Sequence, residues 1–177
     1  MSEYPQFSFW TPRLYIEQHA CPCGYYGDPT QPCTGSSTTV TRYQKRISSP
    51  LVDPIDIHMQ VPRVEFAKLR DMRPGETLAK VHTRVEAARE RQRQRFVGMG
   101  IASNADMHPA QIRKYCVLDD ACQALMKTAM RQLQLTARAY HRVLKLSRTI
   151  ADLAGSEVIT QVHLAEALQY RPKLDLM

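Results

Sequence analysis

The sequence predicts a mainly α-helical protein, in which a helical bundle follows a loop-rich segment with one or two short strands. Two observations support this prediction. From about residue 76 onward, apolar residues recur with the period of amphipathic helices, and residues that cap or end helices stand at the limits of each stretch. Residues 1–60 lack that period, and residues 21–42 are dense in Gly, Pro, Ser and Thr.

The loop-rich segment contains two candidate strands. Residues 1–20 mix aromatic residues with prolines, and a short strand is predicted near residues 13–16. The composition of residues 21–42 is typical of a loop. Residues 55–61 alternate strictly between apolar and polar, which is the period of a half-buried strand.

Four or five helices are predicted in the remainder. They run over residues 77–97, 110–115, 120–134, 137–155 and 161–170. The first is a long surface helix with an apolar stripe of Leu78, Val81, Val85, Ala88 and Phe96. The residues that start and stop the helices are Gly98 and Gly100, His108 with Pro109, Asp119 or Asp120, Thr136, Gly155, Thr160 and Pro172. Short connections between the last three helices favour antiparallel packing in a bundle.

The charge of the chain is unevenly distributed. The net charge is +7, yet residues 1–60 carry −1 and the remainder carries +8. The helical part is therefore the part expected to contact phosphates. An arginine-rich run at residues 84–95 is either a solvated helix face or a nucleic-acid contact, and no aromatic residues interleave with it.

Composition also restricts the compartment. No apolar run approaches the ~18 residues of a membrane span, so no membrane partner is expected. The N-terminus lacks the basic start and apolar stretch of a secretory signal. Five cysteines, an odd number, do not resemble a secreted disulfide framework. These features predict a cytoplasmic protein.

No complete catalytic motif is present in the sequence. It lacks the glycine-rich loops G-x-x-x-x-G-K-[ST] and G-x-G-x-x-G, which cradle nucleotide phosphates. It also lacks H-E-x-x-H and G-x-S-x-G. The six histidines are scattered, and none stands in a recognisable motif with a nucleophile. Nothing in these patterns indicates an enzyme.

Three cysteines near the start are candidate metal ligands. Cys21 and Cys23 flank a proline that stiffens the turn between them, and Cys33 follows. Structural zinc is normally four-coordinate, and His19 is the candidate for the fourth ligand. The alternative interpretation is that Cys21 and Cys23 only shape a tight loop.

Arg138 stands in the first turn of a strongly predicted helix. A cation there opposes the helix dipole, at a cost on the order of 0.3–1 kcal/mol, so helix stability does not require it. Helix N-termini attract phosphates, and an arginine beside one adds two parallel donors. The alternative is an arginine that pairs with an acidic residue or is simply solvated.

Several motifs in the same order resemble the magnesium-chelatase-related AAA+ ATPases of the ComM/YifB type. The resemblance extends over residues 21–171, nearly the whole chain. Its motifs are CPCGYYGDP at 21–29, RY at 42–43, ISSPLVD at 47–53, IDIH at 55–58, VPR at 61–63, RVEAAR at 84–89, ARAYHR at 137–142, TIADLAG at 149–155 and HLAEALQYR at 163–171.

The resemblance implies an architecture and a division of roles. It implies an unmatched segment 1–20, a remnant of the AAA+ core at 21–62, a linker at 63–75 and a helical lid at 76–171. The family activity is ATP-driven remodelling in a ring, using ATP and Mg²⁺, and in the ComM branch it acts on DNA. This chain would contribute the lid and its nucleotide-sensing arginine, Arg138, to an AAA+ core or full-length relative. Alone it would have no cofactor and no catalysis.

The sequence departs from the family pattern at three places. His19-Ala20 replaces the Asn-Pro that would sense the γ-phosphate. Cys33-Thr34-Gly35 replaces a second C-x-C, so one implied metal ligand is missing and zinc is expected to be weak or absent. Pro54 replaces an arginine that would reach a neighbour's nucleotide. The alternative function is a small, basic, helical DNA-binding protein.

Overall fold

The computed structural model describes residues 17, 19–28, 30–46, 55–59, 61, 64 and 75–171. Within these residues the protein contains six α-helices, one short 3₁₀ turn and no β-strand. The chain divides into two compact units, residues 1–46 and residues 47–177. The prediction of a mainly helical protein with a C-terminal bundle is confirmed. The predicted domain boundaries after residues 20, 62 and 75 stay predictions.

Five of the six helices belong to the second unit. The first unit contains α1 (Ser37–Gln44). The second contains α2 (Leu78–Arg95), α3 (Pro109–Tyr115), α4 (Asp120–Gln132), α5 (Ala137–Leu153) and α6 (Gln161–Gln169), with a 3₁₀ turn at Asn104–Asp106 between α2 and α3. The ends of α2 to α6 lie within two residues of the predicted ends, a normal uncertainty for helix limits. No helix in the described residues is long and apolar enough to cross a membrane.

The helix limits follow from local chemistry. The side chain of Asp119 accepts a hydrogen bond from the amide of Cys122 at 2.7 Å, and that of Thr136 accepts one from the amide of Ala139 at 3.1 Å. These bonds satisfy amides that have no carbonyl partner inside their helix. Gly155 follows α5 with a φ of +75°, a conformation in which a side chain would be strained.

Helix α5 is the centre of the bundle. It packs against α2, α3, α6 and the 3₁₀ turn, while α4 packs against α6. Val143 and Ala151 on α5 and Leu164 on α6 are completely buried. Burying one Val or Leu side chain contributes about 1.5–3 kcal/mol, so the apolar stripe of α5 is a major source of stability.

Only the C-terminal half of α2 packs against this core. Ala88, Gln92 and Phe96 are buried, whereas Leu78 is 87% exposed. The predicted stripe was therefore wrong at Leu78, because no described residue covers the first turn of α2. Gln92 is a polar residue that the predicted apolar stripe did not include, yet it is buried. Its side chain accepts a hydrogen bond from the amide of Asn104.

A buried carboxylate, that of Asp152 near the end of α5, joins several elements. Both terminal nitrogens of Arg95 on α2 donate to it. Asn104 in the 3₁₀ turn donates at 2.8 Å, and Nε of Arg148 donates at 3.1 Å from one turn earlier on α5. Asp152 is fully buried and Arg148 nearly so. The paired charges are therefore compensated inside the protein.

The arginines around Asp152 also bind backbone carbonyls. Arg148 donates to the carbonyl oxygens of Ser156 and Glu157, and Arg91 donates to that of Asp152 at 2.9 Å. The carbonyl of Asp152 lies in the last turn of α5, where carbonyls lack partners inside the helix. The network thus connects α2, the 3₁₀ turn, the end of α5 and the loop that precedes α6.

Helix α1 is a difference between sequence and structure, because its composition predicted a loop. Ser36 caps the helix, and its side chain accepts a hydrogen bond from the amide of Thr39 at 3.3 Å. Val40 is the buried residue of the helix. The loop prediction was wrong because Ser and Thr favour turns and helix N-termini alike, and composition does not separate the two.

The residues predicted as a strand near 55–61 do not form one where the structure describes them. Residues 55–59 and 61 are irregular, and no strand lies beside them in the described part of the chain. Residue 60 and the strand predicted near residues 13–16 lie outside the described residues. An alternating pattern indicates one buried face, but a strand also needs a partner that pattern alone cannot supply.

Residues 55–59 are instead held against the bundle. Their backbone and side chains bind the end of α6 and the second turn of α5. Three contacts do this: the amide of His58 donates to the carbonyl of Tyr170 at 2.9 Å, Nη1 of Arg171 donates to the carbonyl of Ile55 at 3.0 Å, and Arg142 forms an ion pair with Asp56. Residues 55–59 therefore belong to the same compact unit as the helices.

The Asp152 network predicts a contrast between two arginines of α2. Arg95→Gln removes one charge and two hydrogen bonds from the buried carboxylate of Asp152, which keeps its pair with Arg148, so we expect the free energy of unfolding to fall by about 1.5–3 kcal/mol. Arg93 is 56% exposed and pairs with Glu86 and Glu90. The matched control Arg93→Gln should therefore cost less than about 1 kcal/mol. Urea unfolding followed by circular dichroism measures both, and equal losses would contradict the prediction.

Acid titration checks the same interaction. Burial opposes ionisation, but hydrogen bonds from Arg95 and Asn104 and the charges of both arginines hold the pKa of Asp152 below its usual value. A group with a lowered folded-state pKa contributes stability above its unfolded pKa, about 3.9, and loses it as the pH falls through the folded value. The stability difference between the native chain and Arg95→Gln should therefore narrow in acid.

The bundle should fold without the N-terminal 60 residues. A chain that begins at Pro74 keeps every cap and the whole apolar core of α2 to α6, so we expect a helical spectrum and a cooperative thermal transition. Its melting temperature should fall slightly because the contacts of residues 55–59 are lost.

Asp56→Asn in the full chain removes only the exposed pair with Arg142 and should cost less than about 1 kcal/mol. A chain that begins at Pro74 and shows no helical circular dichroism would contradict the prediction that the bundle folds independently.

Candidate functional site

The predicted site residue Arg138 lies in the first turn of α5. Its side chain is exposed, and it has no hydrogen bond or ion pair with any other described residue. The next residue, Ala139, is buried, and its amide is held by the cap residue Thr136. The backbone of Arg138 is therefore fixed while its guanidinium is available to a ligand.

A second arginine of the same helix shows the contrast. Arg142 lies one turn after Arg138, and its guanidinium forms an ion pair with Asp56. Arg148, further along, is buried with Asp152. Among the α5 arginines within the described chain, Arg138 alone makes no such ion pair. The structure thus favours a solvated or ligand-binding arginine over a structural ion pair at this position.

Most of the arginine-rich run of α2 is neutralised within the chain. The ion pairs are Arg84 with Glu76 at 3.2 Å, Arg93 with Glu86 and Glu90, and Arg95 with Asp152. Arg91 donates to a backbone carbonyl. Arg89 is exposed, and no described residue pairs with it. The run therefore does not present a continuous row of unpaired cations to a phosphate backbone.

The three N-terminal cysteines converge on one point. The Sγ–Sγ distances are 3.1 Å between Cys21 and Cys23, 3.4 Å between Cys23 and Cys33, and 3.7 Å between Cys21 and Cys33. All three are free thiols. Cys21 is buried, and the other two are partly exposed. The described residues contain no other cluster of three metal-ligating side chains.

Two consecutive turns bring the cysteines together. The amide of Gly24 donates to the carbonyl of Cys21 at 3.1 Å, and the amide of Asp28 donates to that of Tyr25 at 3.1 Å. Gly24 and Gly27 have φ values of +82° and +79°, which a residue with a side chain rarely adopts. These turns fold residues 21–28 back on themselves and place the first two thiols beside the third.

Backbone amides point at the sulfur atoms. The amide of Tyr26 donates to Sγ of Cys21 at 3.3 Å. The amide of Tyr25 and the side chain of Cys21 hydrogen-bond to Cys23 and lower the pKa of that thiol to about 6. The amide of Gly35 acts in the same direction on Cys33, but the hydrogen bond to Cys23 and burial outweigh it and raise its pKa. The cluster therefore loses a first proton readily and later ones less readily.

His19 does not join the cluster. Its ring nitrogens are not among the ligand atoms that lie within 4.8 Å of one another, and its ring instead lies near Gly24. The structure thus brings together three of the four predicted metal ligands. The amides of Tyr25, Tyr26 and Gly35 were missed by sequence reasoning, although the Cys-Pro-Cys-Gly spacing signals a tight loop that exposes such groups. Pro54, a predicted departure from the family, lies outside the described residues.

Comparison with family models identifies the class of protein. A family model described as magnesium chelatase, subunit ChlI C-terminal, matches residues 75–171, and one described as magnesium chelatase, subunit ChlI, matches residues 11–69. The chain belongs to the magnesium chelatase subunit ChlI C-terminal family. The resemblance inferred from the sequence motifs is confirmed.

Curated relatives show the same relationship over most of the chain. Competence protein ComM of Haemophilus influenzae is 39% identical over 166 residues, which is 93% of this chain and 31% of the relative. Uncharacterized protein YifB of Escherichia coli is 36% identical over 160 residues, 90% of this chain and 30% of the relative. Uncharacterized protein Rv2897c of Mycobacterium tuberculosis is 31% identical over 159 residues, which is 90% of this chain and 31% of the relative. The chain spans about 30% of the length of these relatives.

The position of Arg138 predicts that its removal will not destabilise the bundle. A cation in the first turn opposes the helix dipole by about 0.3–1 kcal/mol, and Arg138 has no ion pair to lose among the described residues. We therefore expect Arg138→Ala to leave the melting temperature unchanged or slightly raised.

The matched control is Arg142→Ala, one turn later on the same helix, which removes the ion pair with Asp56 and should lower the melting temperature. Differential scanning calorimetry of both variants decides the question. A clear drop for Arg138→Ala would show that the arginine has a structural partner.

Proposed function

We propose that this chain supplies the helical lid and the nucleotide-sensing arginine of a magnesium-chelatase-like AAA+ ATPase and has no catalysis of its own. The AAA+ core, with its bound ATP and Mg²⁺, would come from a longer relative. The family match to residues 75–171 supports the assignment of the bundle as the lid. The observation that carries the proposal is Arg138 at the N-terminus of the central helix, exposed and without an ion pair among the residues that the structure describes.

The chemistry of that position suits a phosphate. The N-terminus of a long helix favours negative charge, and its first amides are donors for an anion. The guanidinium of Arg138 can add two parallel hydrogen bonds to phosphate oxygens. A phosphate would thus compensate a cation that the helix itself disfavours. Because α5 is the most deeply packed helix, the guanidinium is carried on a rigid support.

A lid needs a core, and this requirement defines the partner. Phosphoryl transfer depends on positioned phosphates and on a metal-held charge. The sequence contains no glycine-rich phosphate loop, and Arg138 alone cannot position a nucleotide. We therefore infer that ATP reaches Arg138 only when the lid is docked on a core that holds the nucleotide.

The alternative function, a basic DNA-binding protein, draws less support from the described residues. Nucleic-acid affinity depends on the number of phosphates that unpaired cations can neutralise. This function was suggested by the net charge of +8 on the helical part and by the helix pair around Thr136. The arginine run of α2, which carries part of that charge, is largely engaged in ion pairs and in the Asp152 network.

We expect the isolated chain to show no ATP hydrolysis above a buffer blank. We also expect activity when the bundle replaces the corresponding segment of an active longer relative. The same graft with Arg138→Ala should lose nucleotide-dependent turnover by about 10²-fold or more, the order observed when a donor to a developing charge is removed.

A matched graft carrying Arg131→Ala separates this role from a general loss of charge. Arg131 lies on α4, is exposed, and has no ion pair with a described residue. The Arg131→Ala substitution should leave turnover within about twofold of the native graft, because surface substitutions away from special features usually have small effects. Equal turnover in the Arg138→Ala and native grafts would refute the proposed sensing role. Turnover by the isolated chain that a substitution within it abolishes would refute the absence of catalysis.

A further inference from the structure

We propose that Cys21, Cys23 and Cys33 together bind one Zn²⁺ ion as thiolates, with the fourth coordination position filled by an exchangeable ligand from outside the cluster. The expectation from the sequence was weak or absent zinc, because one family ligand is missing. The geometry of the three thiols points instead to a site that lacks only its last ligand.

The sulfur spacing is close to that of a zinc centre. Zinc–sulfur bonds of about 2.3 Å in a tetrahedron place the sulfur atoms about 3.8 Å apart. The three separations of 3.1, 3.4 and 3.7 Å are shorter than that value by at most about 0.7 Å, so small rotations of the cysteine side chains would admit the ion. A disulfide would require a sulfur separation near 2.05 Å, and all three cysteines are free.

The backbone around the cluster is arranged for anionic sulfur. Each thiol has its own amide donor: Tyr26 for Cys21, Tyr25 for Cys23 and Gly35 for Cys33. Three converging amides stabilise negative charge at the sulfur atoms, which is the form that a metal binds. A Cβ atom at Gly35 would lie 3.3 Å from the Val40 side chain and 3.6 Å from the Cys33 sulfur, so the backbone at Gly35 lies close to the cluster.

An independent observation is how little apolar surface the described residues of the N-terminal unit bury. Its described residues bury only two apolar side chains, those of Cys21 and Val40. A bound metal adds stability where little apolar surface is buried. Zinc bound at the cluster would join the loop at residues 21–28 to the segment before α1, because Cys33 lies only three residues before the cap of that helix.

The binding step balances without a redox partner. Zn²⁺ accepts a lone pair from each of three sulfur atoms, and the thiol protons that remain are released to solvent. The resulting centre carries one net negative charge, and water completes the tetrahedron. Because the chain supplies three ligands rather than four, the water position can exchange with a thiolate, a carboxylate or a small chelator. We therefore expect weaker and more labile binding than at a closed four-cysteine site.

Cobalt(II) titration of the full-length, reduced, chelator-treated chain tests the proposal. We expect one Co²⁺ per chain, a thiolate-to-cobalt charge-transfer band, and displacement of the cobalt by Zn²⁺. Cys23→Ser and Cys33→Ser should each weaken binding by about tenfold or more, because loss of a ligand should cost at least as much as loss of a group that only orients one. His19→Ala is the matched control and should bind as the native chain does. The helical circular dichroism of the bundle reports whether each variant is folded.

Thiol alkylation followed by mass spectrometry gives a second measurement that needs no substitution. Zn²⁺ should slow the modification of Cys21, Cys23 and Cys33 by about tenfold or more, since alkylation needs a free thiolate. Cys116 and Cys122 are buried in the bundle and serve as internal references, and burial raises the pKa of both to about 11.

Three results would overturn the proposal. The first is the absence of a charge-transfer band, or one that Cys23→Ser leaves unchanged. The second is loss of binding in His19→Ala, which would mean that the chain fills the fourth position itself. The third is a disulfide between two of the three cysteines in native protein isolated without reductant, which would replace the metal site with an oxidised loop.

Discussion

The bundle depends on the fully buried carboxylate of Asp152. One carboxylate binds two arginines and an asparagine that come from α2, the 3₁₀ turn and α5 itself. A buried charge is unfavourable unless it is paired and hydrogen-bonded, so the packing of these elements and the pairing of these charges require each other. The apolar contacts of α5 supply much of the stability, while the network determines which part of α2 lies against it.

The sequence predicted what local chemistry determines. Asp119, Thr136 and Gly155 mark helix limits through bonds to residues at most a few positions away, and the predicted helices agree with the structure. The Asp152 network was not predictable, because Arg95 and Asp152 are 57 positions apart and the residues around each of them do not indicate which residue is its partner. The strand predicted at residues 55–59 was wrong for the same reason, since a β-ladder depends on a partner strand that is distant in sequence. In the structure, the backbone of His58 instead donates a hydrogen bond to the end of α6.

The two candidate sites differ in how far sequence could define them. Arg138 was located because a helix N-terminus and its cap are local features, but only the structure shows that the guanidinium has no ion pair among the described residues. For the cysteines, the spacing suggested ligands, whereas their convergence depends on two glycine turns, and the exclusion of His19 could not be read from its position two residues before Cys21. Family membership rests on both regions, because the two family models cover residues 11–69 and 75–171.

The contacts of residues 55–59 have a mechanical consequence. Arg142, which holds Asp56, lies one turn from Arg138 on the same rigid helix, and Arg171 and Tyr170 hold the neighbouring backbone from the end of α6. Residues 55–59 therefore connect the first two turns of α5 with the end of α6. A pull on the first two turns of α5 would therefore reach residues 55–59 through the ion pair of Asp56 with Arg142, and the hydrogen bonds to Tyr170 and Arg171 would pass it on to the end of α6.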